Sequence, residues 1–110
     1  MIIKDELLLA EFRANTHCEF CKRWCPGELH PHHVFARGMG GGKRLDVRIN
    51  LLSLCWWCHA DYHSGRISRR ELVALVAHRE QREPGAMVAE IYRLRRQPKR
   101  FADGKERVKE

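Results

Sequence analysis

The spacing of apolar residues near the start of the chain predicts a short helix over Asp5–Asn15. Leu7, Leu8 and Phe12 form an apolar stripe, and the acidic residues of the first turn complement the positive end of the helix dipole. Asn15 is of a residue type that commonly ends a helix. We expect this helix to pack on the core of the protein.

Two segments in the middle of the chain are predicted to be strands joined by a glycine-rich loop. The first, Glu28–Phe35, contains Pro31, which lacks a backbone donor and is therefore expected at an edge or a bulge. The second, Ile49–Leu54, has Asn50 at its start. Between them, residues 36–48 include four glycines flanked by basic residues, so this backbone can approach a phosphate closely, with a flexible linker as the alternative.

The second half of the chain predicts three helices. A short helix near residues 56–65 follows the second strand directly. Ser68-Arg69-Arg70-Glu71 has the spacing of a capping box, and the amphipathic pattern behind it runs to about Arg82. Glu83-Pro84-Gly85 separates that helix from another amphipathic segment, Ala86–Gln97. The charged residues beyond it are expected to form a loose tail.

Length and composition indicate one folded domain. The chain has 110 residues, of which 44% are hydrophobic and 32% charged, as is typical of a globular protein. We expect a single domain over 1–110, with its core at 18–65 and a basic helical extension at 68–100. No apolar run approaches the ~20 residues that span a bilayer, and the first residues lack the layout of a signal peptide. A cytoplasmic protein, monomeric or homodimeric, is therefore expected.

The charge of the chain is strongly positive, with a formal value of +7. The segment from Arg93 to Arg100 holds five basic residues and no acidic one. This excess indicates a polyanionic partner such as nucleic acid, with a solvated helix face as the alternative for any single arginine. The predicted phosphate contacts come from this segment and from the glycine-rich loop: Arg37, Lys43, Arg44, Arg93, Arg95, Arg96, Lys99 and Arg100.

Four cysteines form two Cys-x-x-Cys pairs, Cys18/Cys21 and Cys55/Cys58. Each pair at this spacing can supply two corners of a tetrahedral zinc site, and metal binding is favoured over disulfides in a reducing compartment. The sequence therefore predicts one structural zinc ion bound by all four thiolates. Cys25 is expected to be a free thiol, with replacement of another ligand as the alternative.

Five of the six histidines that lie between and after these pairs are candidate site residues. His59 and His63 are four residues apart on the predicted helix, so they share one face and can chelate one ion. His32 and His33 point to opposite faces of a regular strand, so one can bind metal while the other reaches substrate from a different direction. His30 shares the face of His32 and is expected to be exposed, with an additional role in the site as the alternative.

In chain order, these residues run Cys18-x-x-Cys21, His32-His33, Asn50 and Cys55-x-x-Cys58-His59, followed by His63. The combination resembles the HNH endonuclease family, whose core is a β-β-α metal-binding unit. The resemblance covers about 46 residues, from 18 to 63, and none of the flanks. With the helices predicted on either side, it implies a small zinc-stapled α+β fold in which one N-terminal helix and two C-terminal helices flank a β-β-α metal (HNH) core.

The resemblance implies a role for each of five residues. His32, His59 and His63 correspond to ligands of a catalytic divalent ion, and Asn50 to the residue that holds the strand-to-loop geometry and the base. His33 corresponds to the general base, a role suited to a side chain whose ordinary pKa is about 6.5. Many relatives have Asp where His32 stands. The catalytic metal therefore stays open among Mg²⁺, Mn²⁺, Ni²⁺, Co²⁺ and Zn²⁺.

The activity that the resemblance implies is metal-dependent hydrolysis of phosphodiester bonds, most simply in double-stranded DNA. One such site would nick a strand, and a dimer would cut both. A phage or mobile element is the setting that the resemblance implies. The alternative is a non-catalytic zinc-dependent module that binds nucleic acid. Trp56 and Trp57 are expected to shield the zinc site, with stacking on bases as their alternative role.

Overall fold

The protein combines α-helices with one small antiparallel sheet. A computed structural model describes residues 2–25, 27, 29–36, 38 and 42–96. Within these residues the fold is α+β, with four α-helices and two strands. The elements are α1 (Glu6–Arg13), β1 (His30–His33), a 3₁₀ helix (Arg48–Asn50), β2 (Leu51–Leu54), α2 (Trp56–His63), α3 (Arg69–Glu80) and α4 (Pro84–Arg96). No helix in this described part of the chain is both long enough and apolar enough to cross a bilayer.

Helix α1 begins where Asp5 accepts a hydrogen bond from the backbone N–H of Leu8 (3.0 Å). Leu9 and Phe12 form its buried face, whereas Leu7 is 85% exposed. The predicted apolar stripe was therefore wrong at Leu7, because the helix presents the face of Leu9 to the sheet. This orientation gives α1 its contacts with β1 and β2.

The two strands pair antiparallel, with His30 opposite Leu54 and His33 opposite Leu51. Pro31 lies opposite Ser53, whose backbone N–H and C=O both bond to Glu19 (2.7 and 2.9 Å). Pro31 thus occupies a position where no donor to β2 is needed, and the strand tolerates it.

Both strands are shorter than predicted. The chain bends out of β1 at Val34 and Phe35, which contribute to the core instead. Residues 48–50 form the 3₁₀ helix, so Asn50 precedes β2. This turn lets the Asn50 carbonyl accept from the Val34 N–H (2.9 Å) and closes the strand pair at that end.

Strand β2 is buried on both faces and forms the centre of the molecule. Leu52 and Leu54 pack into the main core, while Leu51 packs with Leu9 and Phe12 of α1. The main core also draws its largest buried side chains from the loops and the C-terminal helices: Val34, Leu45, Leu72, Val76, Met87 and Ile91.

The capping box predicted at α3 is confirmed, because Ser68 and Glu71 each bond the other's backbone N–H. Gln81 in the left-handed conformation ends this helix at Glu80, before the predicted end at Arg82. The predicted break is present, but Pro84 begins α4 rather than ending a loop. Proline fits the first helical turn, where its missing N–H costs no hydrogen bond.

Candidate metal centres and the histidine cleft

The four predicted cysteine ligands come together between the turn at residues 18–21 and the start of α2. The Sγ atoms of Cys18, Cys21, Cys55 and Cys58 all lie within 4.8 Å of one another. Each pair is shaped by a turn in which a backbone N–H points at a sulfur, from Cys21 to Cys18 (3.5 Å) and from Cys58 to Cys55 (3.4 Å). The cluster is therefore able to hold a metal ion.

The electrostatics of the cysteine cluster suit a bound cation. Burial raises the pKa of the Cys18 thiol, but hydrogen bonds from the backbone of Cys21, Cys55 and Phe20 outweigh it and lower the pKa to about 7. Burial raises the pKa of Cys58, and the neighbouring sulfurs raise it further. Four thiolates this close repel one another, so the group can ionise fully only around a positive ion.

Cys25 lies outside this group of four sulfurs. Its Sγ donates to the Arg23 carbonyl (3.5 Å), and its side chain is half-buried against the core. All five cysteines are free of disulfides. The arrangement agrees with the predicted free thiol.

A second cluster is made of imidazoles at the junction of β1 and α2. One ring nitrogen from each of His30, His32 and His59 lies within 4.8 Å of the other two. His63 joins from the next turn of α2, with its Nε2 3.1 Å from His59 Nε2. His30 is exposed as predicted, but it lies 4.0 Å from His59 between ring centroids, which favours the alternative role in the site.

His32 is the buried member of the imidazole cluster and has an unused nitrogen. Its side chain is 7% exposed, and its Nε2 has no hydrogen-bond partner among the described residues. Burial and the neighbouring histidines lower the pKa of His32 to about 3 and that of His59 to about 4. Both rings are therefore neutral at pH 7, the form that binds metal. An orphaned buried nitrogen facing other neutral imidazoles fits a divalent cation.

His33 lines the same side of the protein as the imidazole cluster but does not belong to its group of close ring nitrogens. Its Nε2 lies 2.8 Å from Oδ1 of Asp46, whose side chain is fully buried. Asp46 also accepts hydrogen bonds from Arg44 (2.6 and 2.8 Å) and from the backbone N–H of Asp5 (2.9 Å). Asp46 was not among the predicted site residues, although a carboxylate between Leu45 and Val47 was a signal of a buried, partnered acid.

Asn50 is fully buried and holds the ends of the glycine-rich loop. Its Oδ1 accepts from the Phe35 N–H (2.9 Å), and its Nδ2 donates to the carbonyls of Phe35 (3.2 Å) and Leu45 (3.1 Å). This is the strand-to-loop contact expected of it. The expected contact with the base is wrong, because Asp46 rather than Asn50 hydrogen-bonds His33.

The histidines open onto a cleft of about 590 Å³, lined by residues of α1, β1 and α2. Arg13 reaches this cleft from α1, and its side chain has no hydrogen bond or ion pair within the described part of the chain. No carboxylate lines the cleft among the described residues. Arg13 was not among the predicted site residues, because no local sequence signal places the end of α1 beside β1.

Trp56 and Trp57 do not shield the cysteine cluster as predicted. They are 72% and 68% exposed, respectively, and pack edge to face with ring centroids 5.6 Å apart. As the first residues of α2, they project from the surface while Cys58 turns inward. Trp56 lines the histidine cleft, and its alternative role of stacking on bases stays a prediction.

The predicted phosphate contacts have different surroundings. The guanidinium of Arg44 is largely buried and already donates to Asp46 and Glu6, so the predicted phosphate contact would have to displace or share these partners. Lys43 is exposed beside Gly38. Arg37, Lys99 and Arg100 lie outside the described residues.

The arginines at the end of α4 divide into exposed and packed side chains. Arg93 and Arg96 are exposed. Arg95 lies over the ring of Phe35 at 5.8 Å, and its Nε is buried without a hydrogen-bond partner in the described structure. Arg95 is therefore partly packed against the core, whereas Arg93 and Arg96 are exposed, and the phosphate contacts of all three stay predictions.

Comparisons of the chain with protein-family models, with curated proteins and with solved structures find no match. Any function therefore has to follow from the motif and from the geometry of the chain's own residues.

Proposed function

We propose that this protein is a metal-dependent endonuclease of the HNH type that hydrolyses DNA phosphodiester bonds. One observation carries the proposal: a cluster of neutral imidazoles and a separate, carboxylate-bonded His33 line the same cleft. The order of β1, β2 and α2 agrees with the β-β-α unit of the resembled family. The cysteine cluster would stabilise this unit by binding one ion, which we propose to be zinc.

The ligand set for the proposed catalytic ion is broader than the motif alone implied. His32 and His59 belong to both sets, while His30 joins them through the geometry of β1 and His63 through the next turn of α2. A divalent ion bound there supplies Lewis-acid stabilisation of the charge that develops on the scissile phosphate. Imidazole ligands favour Mn²⁺, Ni²⁺, Co²⁺ or Zn²⁺ over Mg²⁺.

His33 is the proposed general base. It lines the cleft, is largely buried and forms its hydrogen bond to Asp46 through Nε2, which leaves Nδ1 as its other ring nitrogen. A neutral imidazole accepts a proton from water at physiological pH, and this assistance is worth roughly 10²–10⁴ in rate.

The charge of the cleft agrees with a polyanionic substrate. Arg13 lines the cleft without a carboxylate partner among the described residues, and the whole chain carries +7. Among the described lining residues, a phosphate that enters the cleft would meet cationic and neutral donors and no competing carboxylate. Arg13 is therefore proposed to contact the DNA backbone.

The alternative is a non-catalytic zinc module that binds nucleic acid, and one observation favours it. His30, His32, His59 and His63 are numerous enough to close a tetrahedral zinc site and leave no position for substrate. A closed site would bind DNA without cleaving it.

Nicking of supercoiled plasmid across a panel of divalent ions tests the proposal. The wild-type protein should convert the plasmid to open circles with at least one ion, and His33→Ala should lose roughly 10²–10⁴ in single-turnover rate. His78→Ala is the matched control, because His78 is exposed on α3 away from the cleft. DNA binding without nicking under every ion would support the alternative and contradict the endonuclease.

A further inference from the structure

Among the described residues, Asp46 is the carboxylate that contacts His33, and both its side chain and its backbone are held in place. Its side chain is fully buried, and its backbone N–H donates to the carbonyl of Ile3 (2.9 Å). Ile3 in turn donates to the carbonyl of Arg44 (2.9 Å), so the segment is bonded to the start of the chain on both sides of Asp46. Asn50 holds the preceding residue, Leu45, through its carbonyl.

The two oxygens of Asp46 have separate partners. Oδ1 faces Nε2 of His33, whereas Oδ2 accepts from Arg44 Nε, Arg44 Nη2 and the Asp5 N–H. Burial would raise the pKa of Asp46, but the hydrogen bonds from Arg44 and His33 outweigh it and hold the pKa below its ordinary value. Asp46 is thus an ionised acceptor at neutral pH.

We infer that Asp46 is the positioning residue of His33, which holds the ring with its proton on Nε2 and leaves Nδ1 as the proton acceptor. A carboxylate can only accept, so the 2.8 Å contact requires the proton to be on Nε2. The inference rests on the proposed function for its catalytic part. It assigns to Asp46 the support of the base that the motif had assigned to Asn50.

The neighbours of Asp46 determine what Asp46→Asn would do. Three donors converge on Oδ2, so the amide oxygen of asparagine would take that place. Its NH₂ group would then face Nε2 of His33 and act as a donor. The ring would be driven to the opposite tautomer, with its proton on Nδ1, while the shape of the site is retained.

The tautomer is measured directly by ¹⁵N NMR of the imidazole nitrogens in the zinc-loaded protein, with His33→Ala to assign the signals. The wild type should show the Nε2–H form at His33, and Asp46→Asn should show the Nδ1–H form. Glu19→Gln is the control, because Glu19 is a partly buried, arginine-paired carboxylate whose hydrogen bonds go to Arg79 and Ser53 rather than to His33. An Nδ1–H tautomer in the wild type would overturn the inference, and that result needs no variant to fold.

Kinetics tests the catalytic part. Asp46→Asn should lower the single-turnover nicking rate by roughly 10²–10⁴ while DNA affinity stays within about twofold, because the change affects the proton acceptor and not the binding surface. Glu19→Gln should leave both unchanged. Equal nicking by the wild type and Asp46→Asn would overturn the inference. A wild type that never nicks DNA would contradict the proposed function instead, and the NMR comparison would still decide the assignment of Asp46.

Discussion

The Sγ atoms of Cys21 and Cys55 lie 3.9 Å apart, although Cys21 belongs to the first Cys-x-x-Cys pair and Cys55 caps α2. Two thiolates bound to one tetrahedral zinc ion at 2.3 Å would lie about 3.8 Å apart. The sulfurs are therefore already at the separation that zinc requires. An ion at this place would join the N-terminal part of the chain to the helix that carries His59 and His63.

Removing one ligand should therefore cost the protein its folded state. Cys55→Ser is expected to lose zinc and to lower the melting temperature strongly or cause aggregation, because a structural zinc site contributes about 10–16 kcal/mol and a domain's net stability is about 5–15 kcal/mol. Zinc content by mass spectrometry of metals and thermal unfolding measure this. Cys25→Ser is the control and should resemble wild type, since Cys25 lies outside the cluster. Equal zinc content and melting temperature in the wild type and Cys55→Ser would contradict the structural role.

The spacing of the chain predicted which side chains converge wherever the geometry is local. The Cys-x-x-Cys turns, the helical repeat of His59 and His63, and the alternation of His32 and His33 all follow from the local backbone. Such relationships depend on a few bonds, so sequence alone sets them. The convergence of the two cysteine pairs was also predicted, because one Cys-x-x-Cys pair supplies only two of the four ligands of a tetrahedral site.

Relationships between distant segments could not be predicted in the same way. Asp46 meets His33 only because the loop after β1 returns to pair with Ile3. Arg13 meets the histidines only because α1 presents Leu9, and not Leu7, to the sheet. The prediction that the tryptophans shield the cysteine cluster was wrong for a related reason. The turn into α2 directs Cys58 inward and leaves Trp56 and Trp57 outside.

His30 is expected to be a ligand of the divalent ion at the histidine cleft. Its ring nitrogen belongs to the close group with His32 and His59, so His30→Ala removes one of few protein ligands. The affinity for Mn²⁺ or Ni²⁺ should fall by at least the 10–100-fold that loss of an outer-shell partner typically costs. Calorimetric titration measures it, with His78→Ala as the control. If the affinity is unchanged in His30→Ala but falls strongly in His63→Ala, His30 is not a ligand. The ligand set would then be the one that the motif implies, His32, His59 and His63.

The protein without an ion at the histidine cleft should lose stability as the pH falls from about 6.5. Above that pH, His32 is neutral in both the folded and the unfolded chain and contributes nothing. Below it, the unfolded chain binds a proton that the folded chain resists until about pH 3, because the folded pKa of His32 is lowered by burial. The contribution of this one group approaches about 1.4 kcal/mol per pH unit.

Urea unfolding at pH 7.0, 6.0 and 5.5 measures this loss. His32→Gln cannot bind the proton, so its stability should fall less steeply over the same range than that of the wild type. The difference between the two slopes isolates His32 from the cysteines and the other histidines. Parallel slopes would show that the folded protein protonates His32 as readily as the unfolded chain does.

Arg13 should contribute to DNA affinity from inside the cleft. Its side chain has no ion-pair partner among the described residues and lies beside the histidines that would surround the scissile phosphate. If it contacts one phosphate, Arg13→Ala should reduce the slope of log K against log salt by about 0.9 and weaken binding without regard to sequence. Fluorescence anisotropy with duplex DNA at several salt concentrations measures both.

Arg66→Ala provides the matched control for Arg13, because Arg66 is exposed but pairs with Asp61 (3.2 Å) and lies outside the cleft. It should leave the slope unchanged. Both substitutions lower the net charge by one. Comparing Arg13→Ala with Arg66→Ala therefore separates a phosphate contact in the cleft from a general effect of charge. An equal change of slope in the two variants would mean that the cleft does not hold the DNA backbone, and the substrate would then have to bind on another surface.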